Sequence, residues 1–500
     1  MSSQSGLGRR AAVGAMLVAG RSLIAQAVAL VAVAVLTRHL SAREFGLLAA
    51  GTAITAFAST FADVGLAAGL IRSRVRPSRM DLRTALGLQL VSMCVLAGAA
   101  AAVVAPFGRI AAITDLMLVS IPLTVWQTPA RVVLERELAY RRVAVVEMAQ
   151  SFVFSGWCVA AVLAGFGVWG VATATIAQAI TGSAAFLALV PEARITPSFS
   201  LTRARSLMRF GLQFQAVNIT NLVRDHGLAL AVGAILGLPA LGFWNVASRV
   251  LRAPLTLYGA VWRVSYPAMS RVVEHDRAPR RVLERAMTAA AVGCGLILAP
   301  LGGSALAAVP VIFGSQWRDV AYTLAPACVA LLLGGPVSLA TAGYLYALGD
   351  VRSILRSSIL HTVAWFAFTL ALLPLIGVPA VGVGWIAGAL VDASVLSRAA
   401  RAHAGISRVR PVIFPTVMAV AAGSASFAVA ATLRPTPAGA GASIGVALAT
   451  YVAGLAIAAR LRPRSATVEP LAAFARSGRD ILRRRTRRPA NVTADALGRP

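Results

Sequence analysis

Apolar stretches and short polar connectors alternate along the whole chain, from Ala11 to Ala459. Each apolar stretch reaches about 18 residues or more, long enough to cross a bilayer as a helix. Fourteen such spans are predicted, near 12–36, 45–71, 84–106, 110–130, 143–165, 168–190, 207–236, 240–262, 286–308, 319–347, 354–376, 378–397, 411–432 and 440–459. The apolar runs are continuous, as in Ala27–Leu36 and Phe366–Leu375. Membrane β-strands would instead alternate apolar and polar residues over about 10 positions. The predicted class is therefore an all-α polytopic membrane protein. Pro122, Pro129, Pro254, Pro326 and Pro336 lie inside spans and mark candidate kinks.

Composition agrees with the pattern. The chain has 500 residues, 58% hydrophobic and 13% charged, too little charge to cover a soluble surface of this size. The formal net charge is +29, and every basic residue other than histidine is arginine. In a soluble protein this would suggest nucleic acid; here the arginines sit between spans and report orientation. One set of alternate connectors, together with both termini, holds 38 arginines, and the other set holds five. The positive-inside rule puts the rich set in the cytoplasm. Both termini are then cytoplasmic, and the absence of lysine beside abundant Ala, Gly and Arg points to a GC-rich bacterial genome and so to a bacterial inner membrane. The polybasic tail after Arg460 is placed to meet anionic lipid, with a solvated tail as the alternative. The four cysteines all lie in apolar runs with no metal spacing, and no phosphate-binding glycine loop is present. No cofactor and no catalytic constellation is predicted.

The chain echoes itself. Leu40-Ser-Ala-Arg-Glu-Phe-Gly46 and Leu236-Gly-Leu-Pro-Ala-Leu-Gly242 lie 196 residues apart, each opening a helix. Gly165-Phe-Gly-Val-Trp-Gly-Val171 is echoed by Gly377-Val-Pro-Ala-Val-Gly-Val383. Two pseudo-symmetric six-helix lobes follow, 1–198 and 199–405, with an extra helix pair at 406–460 and a tail at 461–500. Repeats of this kind build two rocking halves around a central site.

These segments, with Phe61-Ala-Asp-Val-Gly-Leu66, Leu134-Glu-Arg-Glu-Leu-Ala-Tyr-Arg-Arg142, Arg209-Phe-Gly-Leu212 and Ser265-Tyr-Pro-Ala-Met-Ser-Arg271, resemble the bacterial polysaccharide transporters, or lipid-linked oligosaccharide flippases. That superfamily also holds the multidrug extruders and lipid II flippases. The resemblance implies a central cavity that moves a polyprenyl-diphosphate-linked glycan outward by alternating access. Such glycans serve O-antigen, capsule or exopolysaccharide synthesis. Glycan polymerase and export machinery are the further partners it suggests.

Four arginines, Arg21, Arg224, Arg249 and Arg252, lie inside spans, where charge is expensive. In the eighth span Asn245, Ser248, Arg249, Arg252 and Thr256 form one helical stripe. Such a stripe needs a wet cavity or a partner helix. Arginine suits a diphosphate, because its planar fork makes bidentate charge-assisted bonds; the alternative is ion pairing between helices. In the seventh span Asn218, Asn221 and Asp225 fall within about 60° of one another. Arg224 is a candidate for the same cationic site. Asp225 is a candidate counter-ion or ion carrier, and Asp63 a second one, most simply paired with Arg21. Glu147, His361 and Asp392 read as satisfied packing residues. Trp169, Trp244 and Trp317 fall near the predicted outer interface, as aromatic belts do.

A cation-coupled multidrug exporter of the same fold is the first alternative. A membrane polymerase or scaffold is the second, although the short external connectors leave no room for a catalytic domain. The topology makes a direct prediction. In a variant lacking the native cysteines, a membrane-impermeant thiol reagent added outside whole cells should label a cysteine at Thr436 and not one at Ser73. The reverse pattern would invert the assignment.

Overall fold

The computed structural model describes residues 24–63, 66, 70–71, 77–200, 219–220, 222–275, 279–405 and 410–461. All regular structure among them is helical. In chain order the helices are α1 (Ile24–His39), α2 (Ala42–Asp63), α3 (Arg79–Val104), α4 (Arg109–Leu118), α5 (Ser120–Val125), α6 (Thr128–Arg136), α7 (Tyr140–Leu163) and α8 (Gly167–Leu189). After a π-helical turn at Val223–Gly227 come α9 (Leu228–Leu236), α10 (Leu238–His275), α11 (Pro279–Gly303), α12 (Ala305–Phe313), α13 (Val320–Ala347), α14 (Val351–Ile376), α15 (Pro379–Ala404), α16 (Arg410–Thr432) and α17 (Pro437–Leu461).

Local chemistry sets the helix ends. Ser41 and Glu44 form a capping box at the start of α2: the Ser41 amide donates to Glu44 Oε2 at 2.8 Å, and the Glu44 amide to Ser41 Oγ at 3.3 Å. Ser78 and Asp81 repeat the device at α3. Gly237, at φ 85°, makes the one-residue turn between α9 and α10, a backbone region that glycine adopts without strain.

Ten described helices are long and apolar enough to cross a membrane, or eleven if the bent α4–α6 run counts as one span. The chain is an all-α polytopic membrane protein. The predicted fourth span is broken into α4, α5 and α6, with a 48° bend before Thr128, where Pro129 starts the last piece. Pro326 and Pro336, expected to kink, are carried inside the unbroken α13. The predicted ninth span is divided at Ser304, where α11 gives way to the short α12. The eighth span is not apolar enough to stand among the ten, because Asn245, Arg249 and Arg252 interrupt it. It is instead part of α10, a 38-residue helix about 57 Å long at 1.5 Å per residue, well beyond a bilayer crossing.

Burial sorts the helices by neighbour. The apolar window of α13 is 72% buried inside the protein, whereas those of α3 and α14 are 11% and 17% buried. α13 therefore packs centrally, against α10, α11 and α15, while α3 and α14 present their apolar surface to lipid.

The two echoing segments meet. α10 packs along α2 with no room for side chains at two points. A Cβ on Gly46 would lie 1.9 Å from the Leu238 carbonyl oxygen, and one on Gly242 would lie 2.0 Å from that of Ala42. Ala42 and Leu238 stand in the same 196-residue register as Gly46 and Gly242, so the contact is reciprocal, as at a two-fold interface. Small residues let the backbones approach, the device of helix pairs in lipid. Trp317 locks the same seam. It is fully buried, its Nε1 donates to the Thr37 carbonyl at 2.8 Å, and it packs edge-on to Phe45 and Phe243 at 5.0 and 5.8 Å. The belt role expected for Trp317 and Trp244 is thus corrected, since both are buried in the core and only Trp169 is exposed.

Gly46→Ala and Gly242→Ala should each cost about 1–3 kcal/mol through overpacking, read as a lower unfolding midpoint in detergent. Gly98→Ala, whose Cβ would meet nothing within 4 Å, should not destabilise. Equal behaviour of all three would show that the close approach constrains nothing.

Candidate functional site

The polar stripe of α10 begins at Asn245, within one turn of the seam glycine Gly242. Arg249 Nε donates to Asn245 Oδ1 at 2.9 Å, one helical turn back, which fixes the guanidinium against its own helix. The Ser248 hydroxyl donates to the Asn245 carbonyl at 2.8 Å, and that of Thr256 to the Arg252 carbonyl at 2.8 Å. Stripe and seam share one helix, so the seam sets where the arginines point. They open into a cavity of about 240 Å³ lined also by Gln26, Thr52, Asp225 and His226. Among the described residues neither Arg249 nor Arg252 pairs with a carboxylate.

Asp225 reaches the same cavity from the π-helical turn. Its Oδ1 accepts from Arg224 Nε at 3.0 Å, so the Arg224 guanidinium is committed to its neighbour. Arg21, Asn218 and Asn221, the remaining cationic-site candidates, lie outside the described residues, as does the polybasic tail.

A second, larger cavity of about 830 Å³ opens among α2 to α8. Thr52 and Arg249 line both cavities, so the two share a border. Asp63 lies on the wall of the larger one, accepting a hydrogen bond from Gln89 Nε2. Arg131 also lines this cavity and binds Glu135 at 2.7 Å and Glu147 at 3.1 Å; all three side chains are partly exposed. Glu147 is thus satisfied by an ion pair with Arg131. Asp392 is held by the hydroxyls of Ser338 on α13 and Ser357 on α14, away from both cavities.

Sequence reasoning missed the principal polar residues of the larger cavity. Gln89, Gln127, Gln150 and Gln178 all line it, one from each of the predicted third to sixth spans. Gln150 Nε2 donates to Gln127 Oε1 at 3.3 Å and to the Gln178 carbonyl at 3.4 Å, and Gln127 Nε2 to the Ala179 carbonyl at 3.4 Å. Gly182 makes room for this cluster, since a Cβ there would meet Gln150 Nε2 at 1.8 Å. An amide in an apolar segment is costly unless it finds partners. One in each of four consecutive spans was the available signal.

Comparison with known proteins places this architecture. The model of the polysaccharide biosynthesis protein family matches residues 35–322. The succinoglycan biosynthesis transport protein ExoT of Rhizobium meliloti (strain 1021) is 27% identical over 307 residues, 57% of this chain and 59% of that one. The lipopolysaccharide biosynthesis protein WzxC of Escherichia coli (strain K12) is 27% identical over 325 residues, 62% of this chain and 65% of that one. In each case the match spans less than two thirds of the relative. Among solved structures, lipid II flippase MurJ in an inward closed conformation superposes with a TM-score of 0.70 at 10% identity, over 90% of this chain and 100% of MurJ. An inward-facing multidrug resistance MATE family transporter superposes at 0.59 and 16% identity, over 76% and 94%. The family match includes both echoing segments, the seam they form and the arginine stripe beyond it: this chain belongs to the polysaccharide biosynthesis protein family.

Proposed function

We propose that the protein is a flippase that carries a polyprenyl-diphosphate-linked oligosaccharide from the inner to the outer leaflet for cell-surface polysaccharide synthesis. The observation that carries this reading is the pair Arg249 and Arg252, which face one cavity at membrane depth and make no ion pair among the described residues. Arg249 is half-buried and Arg252 is exposed on the cavity wall, and neither has a carboxylate partner among the described residues; charge at membrane depth is expensive, so the pair calls for an anionic ligand. A diphosphate supplies two charges and the acceptor geometry that guanidinium forks match. The naming of ExoT and WzxC as transport and biosynthesis proteins, and the fold shared with MurJ, support the same class.

In this reading lobes 1–198 and 199–405 meet at the seam when the outer end is closed and part there when it opens, with the 406–460 pair attached. The seam lies beside the arginine-poor connectors, so the closed end faces outward. The larger cavity reaches Arg131 and Glu135, at the start of an arginine-rich connector, so its mouth faces the cytoplasm. The arrangement suits loading from the inner leaflet. Arg21, Arg224, Asn218, Asn221 and Asn245 complete the headgroup site as ligands or positioning groups. Asp225 and Asp63 serve as counter-ions or ion carriers. Glycan polymerase, export machinery and anionic lipid at the tail are the partners of this reading. The chain carries out transport, not catalysis.

The superposition with a MATE transporter favours a second reading, cation-coupled export of drugs. The two separate on substrate charge: an exporter of cationic drugs has no use for two arginines on its cavity wall. In proteoliposomes, wild type should move a fluorescent short-chain polyprenyl diphosphate glycan across the bilayer. Arg249→Ala/Arg252→Ala should slow it at least tenfold, with each lost charged hydrogen bond worth about 1.5–3 kcal/mol. Undiminished transport by a folded double variant would remove the arginines from the mechanism. Transport of cationic dyes but not of the glycan lipid would establish the exporter reading.

A further inference from the structure

The larger cavity differs in chemistry from the arginine site beside it. Its wall carries the side-chain amides of four glutamines and the hydroxyls of Thr52, Thr55, Ser59, Ser120, Thr124, Thr128 and Thr175. Its charged groups other than Arg249 are largely engaged already: Asp63 by Gln89, and Arg131 by Glu135 and Glu147. The lining as a whole is neutral, polar and rich in paired donors and acceptors. Amides both donate and accept, in a plane, and so match vicinal hydroxyls.

Several of these polar atoms are left without a partner. Thr55 Oγ1 and Gln89 Oε1 are inaccessible to solvent and unbonded among the described residues. Gln89 is 2% exposed. The Gln178 side chain has no hydrogen bond from the protein among the described residues, although its carbonyl accepts from Gln150. Polar atoms buried without partners are costly, and a stack of them around one space points to a ligand that satisfies them. The space is large, about 830 Å³ against about 240 Å³ for the arginine site, and Arg249 stands at the border.

We propose that the substrate is divided between the two cavities: the diphosphate on Arg249 and Arg252, and the neutral part of the glycan in the glutamine-lined cavity of the first lobe. Sugar hydroxyls bond the Gln89, Gln127, Gln150 and Gln178 amides and the Thr55 hydroxyl. This inference rests on the flippase reading, but it is separable from it, because the glutamines recognise sugar and the arginines recognise phosphate. It predicts that the first lobe, not the second, sets glycan preference. Gly182 is a positioning residue, holding open the volume that the Gln127 and Gln150 amides occupy.

The test uses the full chain in nanodiscs and two probes, a short-chain polyprenyl diphosphate and the same lipid bearing a neutral pentasaccharide. Wild type should bind the glycosylated probe at least tenfold tighter than the bare one. Thr55→Val/Gln178→Met removes two polar groups that have no partner within the described protein, so the fold should survive, checked by an unaltered unfolding midpoint. In that variant the ratio of the two affinities should fall towards one. Arg249→Gln/Arg252→Gln should instead weaken both probes and leave their ratio in place. Equal wild-type binding of both probes, or a ratio unaltered by Thr55→Val/Gln178→Met, would overturn the glycan site while leaving the diphosphate site standing. Wild-type binding of neither probe would overturn the flippase reading itself and this inference with it.

Discussion

The seam between α2 and α10 is the constraint on which the site depends. Two glycines, Gly46 and Gly242, bring each helix against the carbonyl of the other, closer than any side chain permits. This contact fixes the rotation of α10 about its axis. Asn245, Arg249 and Arg252 follow on the same helix, so they inherit that rotation and face the cavity rather than lipid. Trp317 adds an aromatic wedge and a hydrogen bond to Thr37 on the same seam. Gln316 Nε2 donates to that carbonyl as well, at 2.8 Å. A backbone contact of this type is either made or broken, because it has little compliance. It is suited to a gate with two states.

Behind the seam the polar groups are graded. Cationic groups lie at the border between the two cavities, and neutral amides and hydroxyls lie deeper among α2 to α8. Both classes are expensive in a bilayer, and they persist here because helices screen them from lipid. The apolar work is done elsewhere, by α3 and α14 against lipid and by α13 at the centre. Fold and function are thus separated in space, with apolar helices supporting a lumen made of residues that a membrane excludes.

Much of the fold was legible because lipid imposes a simple rule on sequence: a crossing helix needs an unbroken apolar run. The hairpin turns were legible through Gly165, Gly237 and Gly377, whose positive φ angles end helices. The Asn245–Thr256 stripe was legible because five polar residues at helical spacing stand out from an apolar background. Trp317 was misread, since a tryptophan at the end of a span looks like a belt residue until its burial partners are known. The glutamines were missed for a related reason. One amide per span barely alters a hydropathy pattern, and only assembly of α2 to α8 brings Gln89, Gln127, Gln150 and Gln178 to one wall. Ion-pair partners such as Arg131 and Glu147 likewise depend on packing, not spacing.

The proposed alternating access requires the seam to open and close as a unit. Arg43 and Pro239 are exposed, stand in the same 196-residue register and flank the contact, so spin labels there report its state directly. Double electron–electron resonance in nanodiscs should show a short distance in the resting protein. A second, longer population should grow when the polyprenyl diphosphate glycan is added, and Gly46→Val should favour that population even without ligand. A single short distance under all conditions, in a preparation that flips its substrate, would contradict the account.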